Sequence, residues 1–313
     1  GLALDPASSP CMFNVSDVGR TLASDGRGDI RDLAALTRYV TASEPSVVIH
    51  MAAQSLVPRG YEDPVGTWGT NVMGTVNVLE AVRSCPSVRS VVVVTTDKVY
   101  RNREWLFPYR ESDELGGRDP YSASKAAAEF ASESYRHSFF SGASTDTAVL
   151  ATARAGNVIG GGDWSVDRLV PDVLRALDDG VPLRLRNPGA TRPWQHVLDP
   201  LAGYLVLAES LRDVDRGEFP HEWNFGPDAA ANVSVVDVVD TIIALAGSQA
   251  LRVVDDGDPS QDAQLLALDS SRSRAILGWR PRWDFREALA RTLDWHSQWR
   301  SGQDMAGVTS SQI

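Results

Sequence analysis

The sequence predicts an α/β protein, a doubly wound parallel sheet (Rossmann-like) with a smaller C-terminal lobe, and three observations lead there. VVIHMAA (47–53) and SVVVVTT (90–96) are short apolar runs rich in Val without alternation, as strands buried on both faces are. A stretch with helical spacing joins them, and the alternation of strand and helix then repeats, which specifies such a sheet with right-handed crossovers. After Gly160 the texture changes to Gly- and Pro-punctuated loops, the mark of a second lobe.

Taken in order, residues 64–83 carry Pro in the first turn and place Val65, Trp68, Val72, Val76 and Leu79 at the spacing of one helical face. PYSASKAAAEFASESYRHSF (120–139) reads as the next helix and TAVLATARAGNV (147–158) as the next strand. Beyond GGGDW come a helical DRLVPDVLRALDDG (167–180), a short LRLR (183–186) and loops around RNPGATRPWQHV. Two amphipathic helices come next, 233–247 and 284–299, and the polar tail 301–313 is expected to fray. The division predicted is 1–156 and 157–313, some segments of the second part returning to the first. In open α/β sheets ligands sit beyond the carboxyl ends of the strands, here 52–55, 95–98 and 155–163.

With 313 residues, 43% hydrophobic, the chain can bury a large core. A net charge of −11 argues against a nucleic-acid surface. Cys11 and Cys85 make no disulfide framework, and the five histidines show no metal-ligand spacing, so a reducing cytoplasm and no metal are expected. No run approaches the roughly 20 apolar residues of a membrane span.

The chain has 28 arginines and two lysines, Lys98 in TTDKVY and Lys125 in DPYSASK. Where lysine persists in so arginine-rich a protein, an amine that can lose its proton is the physical reason to keep it. Lys125 stands four residues after Tyr121, a spacing that chance would yield roughly 0.04 times here. On a helix the two share a face one turn apart, so the ammonium can lie near the phenol and lower its pKa. Tyr121 then suits the role of base for an alcohol whose hydride a nicotinamide accepts. The alternative is an ordinary helix residue and its neighbour.

At these residues the chain resembles the extended short-chain dehydrogenase/reductase superfamily, and within it the nucleotide-sugar 4,6-dehydratases. The likeness covers nearly the whole chain and is carried by TTDKVYRNREW, DPYSASK, RAGNVIGGGDW with DRLVPD, and RPWQHVLDPLAGYL. The last two are more similar to enzymes acting on CDP-glucose than to those acting on dTDP-glucose or GDP-mannose. The resemblance implies an NAD-dependent lyase of deoxysugar biosynthesis, with an NAD-binding first domain and a nucleotide-sugar-binding second lobe. It further implies that Thr96 bonds the sugar O4 beside Tyr121, that Lys125 also binds the nicotinamide ribose, and that Asp97 protonates the departing 6-hydroxyl. Lys98 stands where the dTDP-glucose enzymes have Glu, as base for the C5 proton or as stabiliser of the enolate.

By the same resemblance, Asp29 and Ile30 contact the adenine, and Met51, Ala52, Ala53, Thr70 and Thr95 line the cofactor. Asp29 could equally be a helix N-cap. Asn157, Arg168 and Leu169 are implied to meet the nucleotide diphosphate, Arg192 to clamp it bidentately, and Asn224 to lie close by. His196 reads as a packed residue rather than a catalyst. The superfamily's Gly-rich turn after the first strand is absent, and GLALDP resembles the segment after the second strand, so the first strand–helix–strand is expected to be missing. A homodimer through helices near 64–83 and 120–139 is implied as well. A 4-epimerase, another dehydratase specificity, or a catalytically silent sugar-nucleotide-binding protein remain as alternatives.

Overall fold

In a computed structural model the structure describes residues 1–140, 147–185, 187–213, 219–249, 252–254 and 264–313. The expected strand end at position 186 lies outside them. Twelve strands occur among the described residues. They are β1 (Leu2–Ala3), β2 (Gly26–Arg27), β3 (Val47–His50), β4 (Ser90–Val94), β5 (Val149–Ala155), β6 (Val158–Ile159), β7 (Leu183–Leu185), β8 (Thr191–Pro193), β9 (Gln195–His196), β10 (Glu222–Phe225), β11 (Asn232–Ser234) and β12 (Arg252–Val254).

The central sheet is parallel, in the order β10-β5-β4-β3. The Val run explains its middle. Val91, Val92 and Val93 of β4 are fully buried, because helices cover both faces, and full burial of such a side chain contributes roughly 1.5–3 kcal/mol. The fourth strand, β10, comes from the second half of the chain and pairs Trp223 with Ala153 and Phe225 with Ala155. On the other side β1 and β2 form a separate parallel pair, and Leu2 packs onto the core shared by Val48 and Ala52.

The helices that frame the site are α1 (Leu33–Ser43), α2 (Gly74–Arg83), α3 (Pro120–Tyr135), α4 (Leu169–Asp179), α5 (Leu198–Asp213), α6 (Val235–Leu245) and α7 (Phe285–Arg300). Before α2 runs a short helix, Pro64–Trp68, and a π-type turn, Gly69–Met73. That turn rotates the helix. The face predicted to be buried is therefore open at its start, with Val65 82% exposed, while Leu79 at its end is buried. Residues 233–247 begin as β11 rather than as helix.

The tail does not fray. Asp304 caps a helix, Met305–Gln312, whose Thr309 accepts a hydrogen bond from Trp295 Nε1 at 2.9 Å and lies 3.0 Å from Ser16 Oγ. Asp32, not Asp29, caps α1, accepting from Ala35 N at 3.0 Å. No helix among the described residues is long and apolar enough to cross a membrane.

Candidate active site

The carboxyl end of β4 supplies the first half of the site. The chain leaves the sheet at Thr95 and turns through Asp97–Val99, a single turn capped by Thr96, whose Oγ1 accepts from Lys98 N at 3.3 Å and donates to Asp97 Oδ1 at 3.0 Å. This short turn is what places Thr96, Asp97 and Lys98 on one cavity. Helix α3 brings Tyr121 to the same place. Pro120 opens it, and Asp119 caps it by accepting from Ser122 N at 3.0 Å, which fixes Tyr121 in the first turn.

The cavity holds about 810 Å³ and is lined also by Asn157, Arg168, Leu169 and Arg192 from beyond β5, in the second half of the chain. Arg168 reaches back to Ser55 Oγ at 3.1 Å and stands 3.6 Å from Asp163, so it spans the cleft mouth. Arg192 is buried, with Nη1 on Thr191 O at 2.8 Å. Among the described residues no cluster of His, Cys, Asp and Glu is arranged to hold a metal.

The expected effect of Lys125 on the phenol is not what the structure contains. Lys125 Nζ donates to Val94 O at 2.8 Å instead. Burial pushes Tyr121 up to about 12, against a hydrogen bond with Thr96 and the charge of Arg168, which favour phenolate. Burial also pulls Lys125 down to about 8, and the charge of Glu129, one turn further along α3, opposes this. Glu129 is fully enclosed: it accepts from Thr95 Oγ1, from Thr152 Oγ1 at 2.7 Å, and from Arg154 Nε and Nη2 at 2.9 and 2.8 Å.

That ion pair leads through Tyr100 to Asn224. Asn224, expected beside the nucleotide diphosphate, is 0% exposed and lines no part of the cavity. Its Oδ1 accepts from Tyr100 OH at 2.7 Å and its Nδ2 donates to Tyr109 O and Asp269 O at 2.9 and 3.0 Å, so its amide is spent on the core.

Asp29, Ile30, Ala52, Ala53 and Thr70 do not line this cavity, whereas Met51 and Thr95 do. Asp29 is paired with Arg31, whose hydrogen bonds hold its carboxyl below the usual range, and Ile30 is buried in the core beside α1 and α2. His196 is buried against the Trp283 ring at 4.5 Å and takes Leu198 N on Nδ1 at 3.3 Å. Ser55, within the expected 52–55, lines the cavity, and cavity residues that sequence reasoning gave no role include Arg184, Asn187 and Tyr204. All three lie in segments already singled out, Arg184 in LRLR, Asn187 in RNPGATRPWQHV and Tyr204 in LAGYL.

The profile of the family described as GDP-mannose 4,6 dehydratase matches residues 26–292. The chain belongs to that family. Among members and relatives of the GDP-mannose 4,6 dehydratase family, the chain is 44% identical over 315 aligned positions to the CDP-glucose 4,6-dehydratase of Salmonella typhimurium, spanning 100% of this chain and 87% of that one. It is 31% identical over 291 positions to a dTDP-glucose 4,6-dehydratase of Xanthomonas campestris, spanning 86% and 78%. In fold it is similar to a dTDP-glucose 4,6-dehydratase from Bacillus anthracis solved in complex with NAD, with a TM-score of 0.77, 22% identity, and coverage of 97% and 90%.

Proposed function

We propose that the chain removes water from a nucleoside-diphosphate glucose, CDP-glucose foremost, giving the 4-keto-6-deoxy sugar, with NAD regenerated in each turnover. The observation that carries this is one cavity holding Thr96, Asp97, Lys98 and Tyr121 together with Arg168 and Arg192. The 44% identical CDP-glucose 4,6-dehydratase supports the choice of nucleotide.

The residues fit NAD. An ammonium has three donors, and buried Lys125 has Val94 O as its one hydrogen-bond acceptor among the described residues, at the strand end where open sheets hold cofactors. Lys125 would hold the ribose, Met51, Ala52, Ala53, Thr70 and Thr95 would line the cofactor, and Asp29 and Ile30 would meet the adenine. Bound NAD supplies reversible hydride exchange with the sugar and carries a positive charge into the cleft.

Tyr121 takes the O4 proton while C4 is oxidised. At a pKa near 12 the phenol rests protonated, so added positive charge is what activates it, with Arg168 as the chain's own source. The C4 ketone acidifies the C5 proton. Lys98 removes that proton or stabilises the enolate; the C5–H electron pair becomes the C5–C6 double bond, the C6–O bond breaks, and Asp97 protonates the departing oxygen to water, after which the hydride taken from C4 would return to C6 and a proton to C5, giving the 4-keto-6-deoxy sugar. Arg192 and Arg168 hold the diphosphate, with Asn157 and Leu169 beside it.

The test is to give the NAD-loaded protein CDP-, dTDP-, UDP- and GDP-glucose and look for the 4-keto-6-deoxy product by mass and NMR. Product from CDP-glucose at the highest kcat/KM is expected. Product from none would sink the proposal, and a product found only as the C4 epimer would replace dehydration by epimerisation. The exposed Val65, Trp68, Met73 and Phe130 on the paired helices support a homodimer through that face, which sedimentation of Trp68→Arg against the parent would check.

A further inference from the structure

The motif RPWQHVLDPLAGYL runs from β8 through β9 into α5, and one side chain of α5 has no role in the steps above. Tyr204 is 4% exposed and lines the cavity that holds Asp97 and Tyr121. Its place is fixed from two sides. The ring meets Phe225 edge-on, with centroids 5.4 Å apart and planes at 85°. At Gly203 an added Cβ would stand 2.4 Å from the Phe225 ring, so α5 lies closer to β10 than a residue with a side chain would allow. The first turn of α5 is pinned as well, by Trp279 Nε1 on Asp199 O at 2.9 Å and Arg282 N on Asp199 Oδ1 at 2.8 Å.

Buried tyrosines ordinarily find a partner for the hydroxyl. Two others here do: Tyr100 OH donates to Asn224 Oδ1 at 2.7 Å and Tyr109 OH to Asn102 Oδ1 at 3.0 Å. The Tyr204 hydroxyl has no hydrogen-bond partner among the described residues, although it is held as rigidly as either. Burial, then the charge of Asp97, then Tyr121, push its pKa above the ordinary value, so it stays a neutral phenol at any working pH.

We infer that Tyr204 contacts substrate, its hydroxyl bonding the C6 hydroxyl of the hexose in company with Asp97. The inference rests on the dehydratase reading above. As the C6–O bond breaks, negative charge grows on that oxygen; Asp97 delivers the proton, and a neutral donor that cannot itself ionise stabilises the charge without competing for it. The same bond in the ground state would favour a sugar with a hydroxymethyl group over one without.

Tyr204→Phe keeps the ring on Phe225 and deletes only the oxygen. Calorimetry of the NAD-loaded protein with CDP-glucose and with CDP-xylose, which has no C6, should find the parent's preference for CDP-glucose reduced about fivefold in the variant, with CDP-xylose affinity unchanged. The kcat for dehydration should fall on the order of 10- to 100-fold while KM rises only about fivefold, in step with the lost affinity. Unfolding in urea should be near-parental, which separates loss of the contact from loss of the fold. A variant that discriminates the two sugars as the parent does, at the parental kcat, would overturn the role of Tyr204 alone. A parent that binds neither sugar nucleotide would overturn the dehydratase reading beneath it.

Discussion

Replacing Glu129 by Gln should both weaken the fold and disturb the site. The carboxylate accepts four hydrogen bonds, two of them from Arg154, which is itself buried and donates its remaining Nη1 to Tyr100 OH at 2.9 Å. A glutamine offers one acceptor oxygen and one N–H₂ donor, so Arg154 would keep a full charge while losing half of its fork. Breaking a buried pair from one side costs roughly 3–5 kcal/mol, against a total near 5–15 kcal/mol for a typical domain. Urea unfolding measures this directly, and Glu129→Met combined with Arg154→Met, which removes both charges, should recover most of the loss. At the site, Thr95 loses its acceptor and Lys125 loses the charge that raises its pKa. The ammonium, already down to about 8, should then deprotonate at lower pH, and the alkaline limb of the dehydration rate should move down with it. Stability within about 1 kcal/mol of the parent, with the limb unmoved, would refute this account.

Other expectations can be checked alongside. Tyr121→Phe should abolish C4 oxidation, read as absent NADH absorbance in single turnover, while calorimetry still finds substrate bound; surviving turnover would remove Tyr121 as base. Arg192→Ala should weaken substrate binding by roughly 1.5–3 kcal/mol, the worth of a charge-assisted bond, and an unchanged Kd would make Arg192 structural. Lys98→Arg keeps the charge but cannot serve as a base, so NADH should accumulate and solvent deuterium enter C5 slowly; Lys98→Met should be slower still only if enolate stabilisation matters. Burial and the charge of Lys125 hold His50 near 3, and burial and Arg291 hold His196 near 4, both far below 6.5. The unfolded chain therefore binds more protons, and stability should fall as pH drops from about 6.5 toward 4, by up to roughly 1.4 kcal/mol per unit for each histidine. A flat urea midpoint between pH 6.5 and 5 would contradict that burial.

How much of the architecture is legible in the sequence depends on how local its cause is. The strands at 47–53 and 90–96 come from unbroken apolar runs, and α3 from Asp-Pro ahead of an Ala-rich stretch, all local signals. Strand β10 does not announce itself, because EWNF has only four residues and gains its place by pairing with β5, more than 60 positions earlier. The tail 301–313 is polar enough to suggest fraying, yet the decisive contacts, Thr309 with Trp295 and with Ser16, join residues far apart in sequence. The surroundings of Asn224 are hidden for the same reason: the four residues NFGP cannot reveal that Tyr100, Tyr109 and Asp269 converge on its amide. Glu129 does carry a signal, being four residues after Lys125, but a glutamate at that spacing is usually a solvated partner.

The two kinds of buried cation in this interior show why the arginine-rich chain uses lysine where it does. Arg154 is permanently charged, and the fold surrounds it accordingly, with a bidentate carboxylate from Glu129 and the Tyr100 hydroxyl, leaving it nothing to give a ligand. Lys125 lies one helical turn from the same carboxylate, yet its ammonium has a single carbonyl, Val94 O, as hydrogen-bond acceptor among the described residues. A guanidinium in that position would leave most of its five donors unmatched in a dry site, whereas an amine whose pKa has fallen to about 8 tolerates partial solvation by protein and keeps two donors for an incoming molecule. The under-solvated cation thus sits at the carboxyl end of β4, beside the cavity, and the fully solvated one stays behind it in the core. Interchanging the two chemistries by Lys125→Arg should therefore cost ligand affinity even though the charge is retained.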